Sequence, residues 1–195
     1  ALVPFVVIGD PDYQTSLKIV KTIVEAGADI LELGFPFSDP IADGPTIQSA
    51  DVRSLKKGMN TDKCFNFIKK VREFTDIPIG LLVYYNLIYQ RGTKKFFYDC
   101  KLAGVTSVLA ADVPIEESEE IIIAARKHNI DTVFIVSPLT DNKRLKLISK
   151  KCKGFIYLVA RLGVTGARQD IKEGTLKLIK RVRKNTKLPL CVGFG

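Results

Sequence analysis

The run Ile30-Leu31-Glu32-Leu33-Gly34 sets a single carboxylate inside an otherwise apolar stretch. With a strand's period of two, Glu32 faces opposite to Leu31 and Leu33, toward the mouth of a barrel if the strand belongs to one. Burial there disfavours the charged form, so the carboxyl group can both donate and accept a proton near neutral pH. A second carboxylate, Asp43, follows in the loop Phe35-Pro36-Phe37-Ser38-Asp39-Pro40-Ile41-Ala42-Asp43-Gly44-Pro45-Thr46-Ile47-Gln48, rich in proline and aspartate, which opens a helix at about Pro45 or Thr46. Loops of such length in compact domains are often functional. Local rules also allow plainer roles: an ion pair or an exposed strand position for Glu32, a turn or a helix cap for Asp43. Asp39, between Ser38 and Pro40, reads as structural.

Both residues need a scaffold, and the rest of the chain supplies one. Short apolar, β-branched runs alternate with longer segments of helical period, which is the pattern of parallel βα units. Seven strands are predicted: Val3 to Ile8, Asp29 to Leu33, Ile79 to Tyr84, Ser107 to Ala111, Thr132 to Val136, Phe155 to Val159 and Leu188 to Val192, with about six helices between them. Several are continuously hydrophobic, as strands covered on both faces are. Thr61 precedes Asp62 and the stripe Cys64, Phe65, Ile68 and Val71 at a helix start, and Gly27, Gly58 and Gly104 stand where helices stop. No Gly-x-Gly-x-x-Gly joins a strand to its helix, and the first and last strands look as buried as the others, so the pattern favours a TIM (β/α)8 barrel over an open doubly wound sheet. In such a barrel the reactive groups come from the C-terminal strand ends and the loops beyond them, where Glu32 and Asp43 fall.

Composition narrows the function classes. The 195 residues are 46% hydrophobic and 26% charged, the balance of a globular domain, and no apolar run approaches the roughly 18 residues of a membrane span. The chain reads as cytoplasmic. Its net charge of +9 is spread over pairs such as Lys56-Lys57, Lys69-Lys70, Lys94-Lys95 and Lys150-Lys151, about one per predicted helix, so a solvated outer face is expected and nucleic-acid binding is not. Cys64, Cys100, Cys152 and Cys191 lack the paired spacing of a zinc or redox site and read as free thiols. His128, the single histidine, reads as a helix C-terminal residue.

The run from Leu31 to Pro40, continuing through Ala42-Asp43-Gly44-Pro45-Thr46-Ile47-Gln48, resembles the signature of the tryptophan synthase alpha chain family. The resemblance extends over all 195 residues through Pro4-Phe5 with Gly9-Asp10-Pro11, Ile79 to Tyr84, Ala111-Asp112-Val113-Pro114 with Glu116-Glu117-Ser118, Gly163-Val164-Thr165-Gly166, and Gly193-Phe194-Gly195. It implies a lyase that splits indole-3-glycerol phosphate into indole and glyceraldehyde 3-phosphate, with Glu32 as catalytic acid and base and Asp43 as the carboxylate that holds the indole N–H. It implies an apolar slot of Phe5, Leu82, Leu109, Ala111, Ile135, Tyr157 and Phe194, a phosphate site including Gly166 and Gly195, and a lid after the sixth strand around Thr165. Leu162 departs from the family, where many relatives carry a small polar residue. No metal or organic cofactor is implied in this chain. The partner is a beta chain carrying pyridoxal phosphate, in an alpha2-beta2 tetramer through which indole passes.

Two other classes remain open on the sequence: another phosphate-binding TIM-barrel enzyme, and a non-catalytic scaffold that activates a partner chain. The residues 1–195 read as one barrel domain. Seven strands are one short of closure, so an eighth βα unit and a short N-terminal helix are expected beyond this stretch of a longer chain.

Overall fold

The computed structural model describes residues 1–159 and 173–193. Parallel strands and helices alternate: β1 (Phe5–Val7), α1 (Tyr13–Glu25), β2 (Leu31–Gly34), α2 (Pro45–Lys56), α3 (Thr61–Arg72), β3 (Ile79–Val83), α4 (Tyr85–Arg91), α5 (Thr93–Ala103), β4 (Ser107–Ala110), a 3-10 turn (Ile115–Glu117), α6 (Glu119–Lys127), β5 (Asp131–Thr132), β6 (Phe134–Val136), α7 (Asn142–Lys151), β7 (Ile156–Val159), α8 (Glu173–Arg183) and β8 (Leu190–Gly193). The helices outnumber the expected six: the two after β2 start where Pro45 and Thr61 led us to expect them, and a second helix follows β3. The strand predicted over Thr132 to Val136 is divided into β5 and β6 at Val133. Its two pieces are one stave: β5 pairs with β4 and β6 with β7, while the Val133 N–H donates to the Val108 carbonyl at 3.0 Å and so carries the ladder across the break. Among the described residues seven parallel staves therefore run in sequence order, hydrogen-bonded as β1-β2-β3-β4-β5 and as β6-β7-β8.

Register sorts every strand residue onto one of two faces. Phe5 lies opposite Glu32, Glu32 opposite Gly80 and Gly80 opposite Ser107; farther up, Gly34 pairs with Leu82 and Leu82 with Leu109. On the far side Ile135 pairs with Tyr157 and Tyr157 with Cys191. These residues face the barrel interior. The alternate set, including Leu31, Leu33, Ile79, Leu81, Val83 and Val108, packs outward against α1, α3, α5 and α6 in the main core, which is filled by Phe65, Phe67, Phe96 and Phe97. Phe96 touches Phe35, Phe65 and Phe97, so truncating it to alanine is expected to cost about 3–5 kcal/mol. A second outer core joins β6 and β7 to α7 and α8.

Caps follow local chemistry with one correction. The N-cap of α3 is Asn60, whose side chain accepts from the Lys63 N–H, and Thr61 is the first helical residue. Gly104 ends α5 at φ 83°, the left-handed conformation that a side chain would strain. His128 is the C-cap of α6. Among the described residues no helix is long and apolar enough to cross a membrane.

Candidate active site

Glu32 owes its position to the pleat: its neighbours Leu31 and Leu33 are drawn outward into the main core, which turns the carboxylate into the barrel. It is only 5% exposed. Gly80 lies beside it on β3 and Ser107 beyond, and a Cβ on Gly80 would stand 3.0 Å from Ser107 Oγ, closer than ordinary contact. Across the barrel, Tyr157 on β7 points its hydroxyl at Glu32 Oε2, donating at 3.4 Å. Burial pushes the Glu32 carboxyl up to about 7, against the smaller opposing effect of the Tyr157 hydrogen bond. Burial first, and then the Glu32 charge, raise the Tyr157 phenol well above its ordinary range, so it remains a proton donor in that contact.

The rest of the barrel interior around this carboxylate is apolar. Leu82, Leu109, Val133 and Tyr157 form a small buried cluster, with Phe5, Ala111, Ile135 and Phe155 packed against it. Six residues named for the slot from the sequence, Phe5, Leu82, Leu109, Ala111, Ile135 and Tyr157, are thus brought together from β1, β3, β4, β6, β7 and the turn after β4. Thr165, Gly166, Phe194 and Gly195, and with them Leu162 and the expected lid, lie outside the described residues.

Asp43 is buried to a similar degree, 5% exposed, by a different construction. It belongs to the loop between β2 and α2, and Gly44, not Asp43, stands at the N-cap of that helix. The Tyr84 hydroxyl donates to Asp43 Oδ2 at 2.6 Å and accepts from the Ala42 N–H at 3.1 Å. Gln48 Nε2 donates to the Asp43 carbonyl at 2.8 Å, and the Asp43 N–H to the Pro40 carbonyl at 3.0 Å. The Phe37 ring stacks on Tyr84 with centroids 5.0 Å apart. Burial raises the Asp43 carboxyl above its ordinary range, while the Tyr84 hydrogen bond pulls it back. Asp39 pairs locally, its Oδ2 accepting from Ser38 Oγ at 2.5 Å.

Two groups at this site escaped the sequence reading. Tyr84 carried a signal, because it ends the third predicted strand at the face where reactive groups collect. Asp51, on α2, carried none: it is one acid in an amphipathic helix, yet it is 4% exposed and its carboxyl is pushed up to about 7, by burial first and then by the charge of Asp43. The thiols of Cys64, Cys100 and Cys152 are buried, and burial raises each above its ordinary range. Among the described residues no group of three or more His, Cys, Asp or Glu side chains could hold a metal ion.

A barrel interior that sets a buried glutamate among apolar and aromatic side chains could serve a substrate with a flat ring and a proton to be moved. Comparison with known proteins gives the family. The family model for the tryptophan synthase alpha chain matches residues 1–195. The tryptophan synthase alpha chain of Methanothermobacter thermautotrophicus is 58% identical over 195 residues, covering 100% of this chain and 72% of that protein. That of Methanocaldococcus jannaschii is 47% identical over 196 residues, with 100% and 69% covered. A solved structure of the tryptophan synthase a2b2 complex from Pyrococcus furiosus superposes with a TM-score of 0.93 at 40% identity, covering 100% of this chain and 78% of that one. With likeness of sequence and of fold running the whole length of the residues in hand, the chain belongs to the tryptophan synthase alpha chain family.

Proposed function

We propose that this chain cleaves indole-3-glycerol phosphate to indole and glyceraldehyde 3-phosphate, with Glu32 moving both protons and Asp43 holding the indole N–H. The observation that carries the reading is the buried Glu32, set among apolar side chains of the barrel interior with its carboxyl pushed up to about 7, so that both protonation states are within reach near neutrality. In its neutral form Glu32 protonates ring carbon C3, and the ring becomes an iminium cation with the positive charge on nitrogen. As the carboxylate it then takes the proton of the side-chain hydroxyl next to the ring. The C–O bond becomes a carbonyl, the carbon–carbon bond breaks, and its electron pair returns to the ring as the nitrogen charge is discharged. Glu32 ends in the state in which it began, and only protons have been exchanged.

Asp43 serves the middle of that sequence. A fixed carboxylate next to the ring nitrogen costs little in the ground state and stabilises the cation as it develops. The Tyr84 hydrogen bond favours its ionised form and fixes its direction. The aromatic and aliphatic side chains of the slot take the bicyclic ring.

The Pyrococcus relative is an a2b2 complex. By that likeness we assign this chain a beta-chain partner, which carries pyridoxal phosphate and consumes the indole. The loop Phe35 to Pro40 lies beside the reacting groups and is our choice for the coupling contact. Release of free indole from indole-3-glycerol phosphate, measured with and without the beta chain, tests the reading. Turnover that rises on adding the beta chain is expected; a chain that activates its partner yet releases no indole under any condition is a scaffold instead.

A further inference from the structure

We propose that Gly34 sets the width of the ring slot: with no side chain there, the Phe5 ring can lie against β2, and any side chain in its place would drive that ring into the space the indole fills. Gly34 is thus a positioning residue that acts through Phe5, and the inference rests on indole as the ring of the proposed substrate. Gly34 ends β2, is buried, and shares the inward face with Glu32 two residues before it. Phe5 stands on β1 opposite Glu32, and Val7, two residues on, stands opposite Gly34. The Phe5 side chain therefore starts level with the proposed acid and base and leans along the barrel to cover Gly34. A Cβ on Gly34 would stand 2.6 Å from Phe5 Cζ, 2.9 Å from Cε2 and 3.8 Å from Cε1, and these three ring atoms are the nearest to that position.

Carbon atoms in contact keep about 3.5–4.0 Å apart, so Gly34→Ala requires the ring edge to retreat by about 1 Å. The pleat fixes the direction. A Cβ on an inward strand position points toward the barrel axis, and whatever it pushes moves that way. On that side lie Leu82, Leu109 and Tyr157, the side chains of the cluster against which Phe5 packs. The displaced ring would leave the strand wall and narrow the slot from the β1 side. Gly34 pairs with Val7 on one side and Leu82 on the other and is not left-handed, so the position does not use the conformational freedom of glycine. It uses the missing side chain. Leu82 and Leu109, level with Gly34 on β3 and β4, both carry full side chains into the interior, which makes position 34 the gap in that row that the Phe5 ring covers. A leucine side chain ends at its Cδ atoms and has nothing where Phe5 Cε2 and Cζ lie, so Phe5→Leu should relieve the conflict that Gly34→Ala creates.

The experiment is isothermal titration of the full chain with two probes: indole-3-propanol phosphate, which keeps ring and phosphate but lacks the hydroxyl that gives up its proton, and glyceraldehyde 3-phosphate, which has no ring. Gly34→Ala is expected to raise the Kd of the indole probe by about tenfold or more and that of glyceraldehyde 3-phosphate by less than about twofold. Phe5→Leu alone should cost the indole probe about threefold, through lost contact, and adding Gly34→Ala to it should cost less than about twofold further. An equal loss in both backgrounds, an equal loss for both probes, or no loss at all overturns the role of Gly34 while leaving the indole reading in place. A wild-type chain that does not bind the indole probe removes the proposed substrate, and this inference with it. Should Gly34→Ala fail to fold, the pair decides: Gly34→Ala/Phe5→Leu should fold and melt close to Phe5→Leu alone, and a pair that stays unfolded overturns the proposal.

Discussion

Glu32 and Asp43 are equally hidden from water, yet one stands on a strand and the other on a loop, and the two settings treat a carboxylate differently. The strand holds Glu32 by register alone, with flanking leucines drawn into the outer core and a single long hydrogen bond, 3.4 Å, from Tyr157. Desolvation dominates, and the group titrates near 7. The loop gives Asp43 a short hydrogen bond, 2.6 Å, from a tyrosine that is itself fixed by the Ala42 N–H and the Phe37 ring. In the proposed reaction, the group that exchanges protons is left with a weak partner and the group that stays charged is gripped. Two differences act together: the Glu32 carboxyl itself lies deeper among surrounding atoms than that of Asp43, and its one partner is weaker.

Breaking the strand side should have the largest effect. Glu32→Gln keeps the shape but cannot shuttle a proton, so indole release should fall by roughly 10³-fold with the fold intact. Circular dichroism and a single-turnover assay would check both halves, and substantial residual turnover would refute the acid/base role. The same variant sharpens the comparison through stability. Because burial raises the folded-state carboxyl from 4.5 to about 7, the folded protein binds the extra proton, and that stability is present below about pH 4.5 and lost as pH rises through 7. The loss is on the order of 3 kcal/mol. Glu32→Gln has no such slope, so its Tm relative to wild type should increase from pH 5 to pH 8.

On the loop side, Asp43→Asn should reduce kcat by roughly 10²-fold, the scale of removing one charge-stabilising group, while ligand binding persists in part through the slot. Isothermal titration with a non-cleavable indole phosphate analogue would separate the two, and unimpaired activity would make Asp43 structural. Tyr84→Phe should cost about tenfold, because it strips a hydrogen bond from a charged group. Tyr157→Phe should cost least at neutral pH. It removes the one contact that opposes desolvation, so the Glu32 carboxyl should move further up and carry the alkaline limb of the pH–rate profile with it. Equal losses for the two tyrosine variants would erase the contrast between a gripped carboxylate and a loosely held one.

How far the two regions could be read in advance differs for the same physical reason. Periodicity is a local property, so the strand position of Glu32 and its face followed from Leu31 and Leu33, and the positions of seven strands followed from their apolar runs. The pair of helices after β2 followed as well, from Pro45, Gly58 and Thr61; the division of one stave at Val133 and the second helix after β3 did not, because main-chain pairing decides the first and local propensity resolves short tandem helices poorly. The slot residues looked like ordinary core from their types, and only the family resemblance singled them out.

The amino-acid sequence by itself determined the alternation of strand and helix, the inward face of β2 and, through the run from Leu31 to Gln48, the family. Only the tertiary structure decided which partners each carboxylate meets. Tyr157 reaches Glu32 from 125 residues away, Tyr84 reaches Asp43 across 41, and burial first, then the charge of Asp43, raise the Asp51 carboxyl. A carboxyl group's proton affinity depends on the dielectric, the charges and the donors within a few ångströms of it, and those neighbours come together only when the barrel forms.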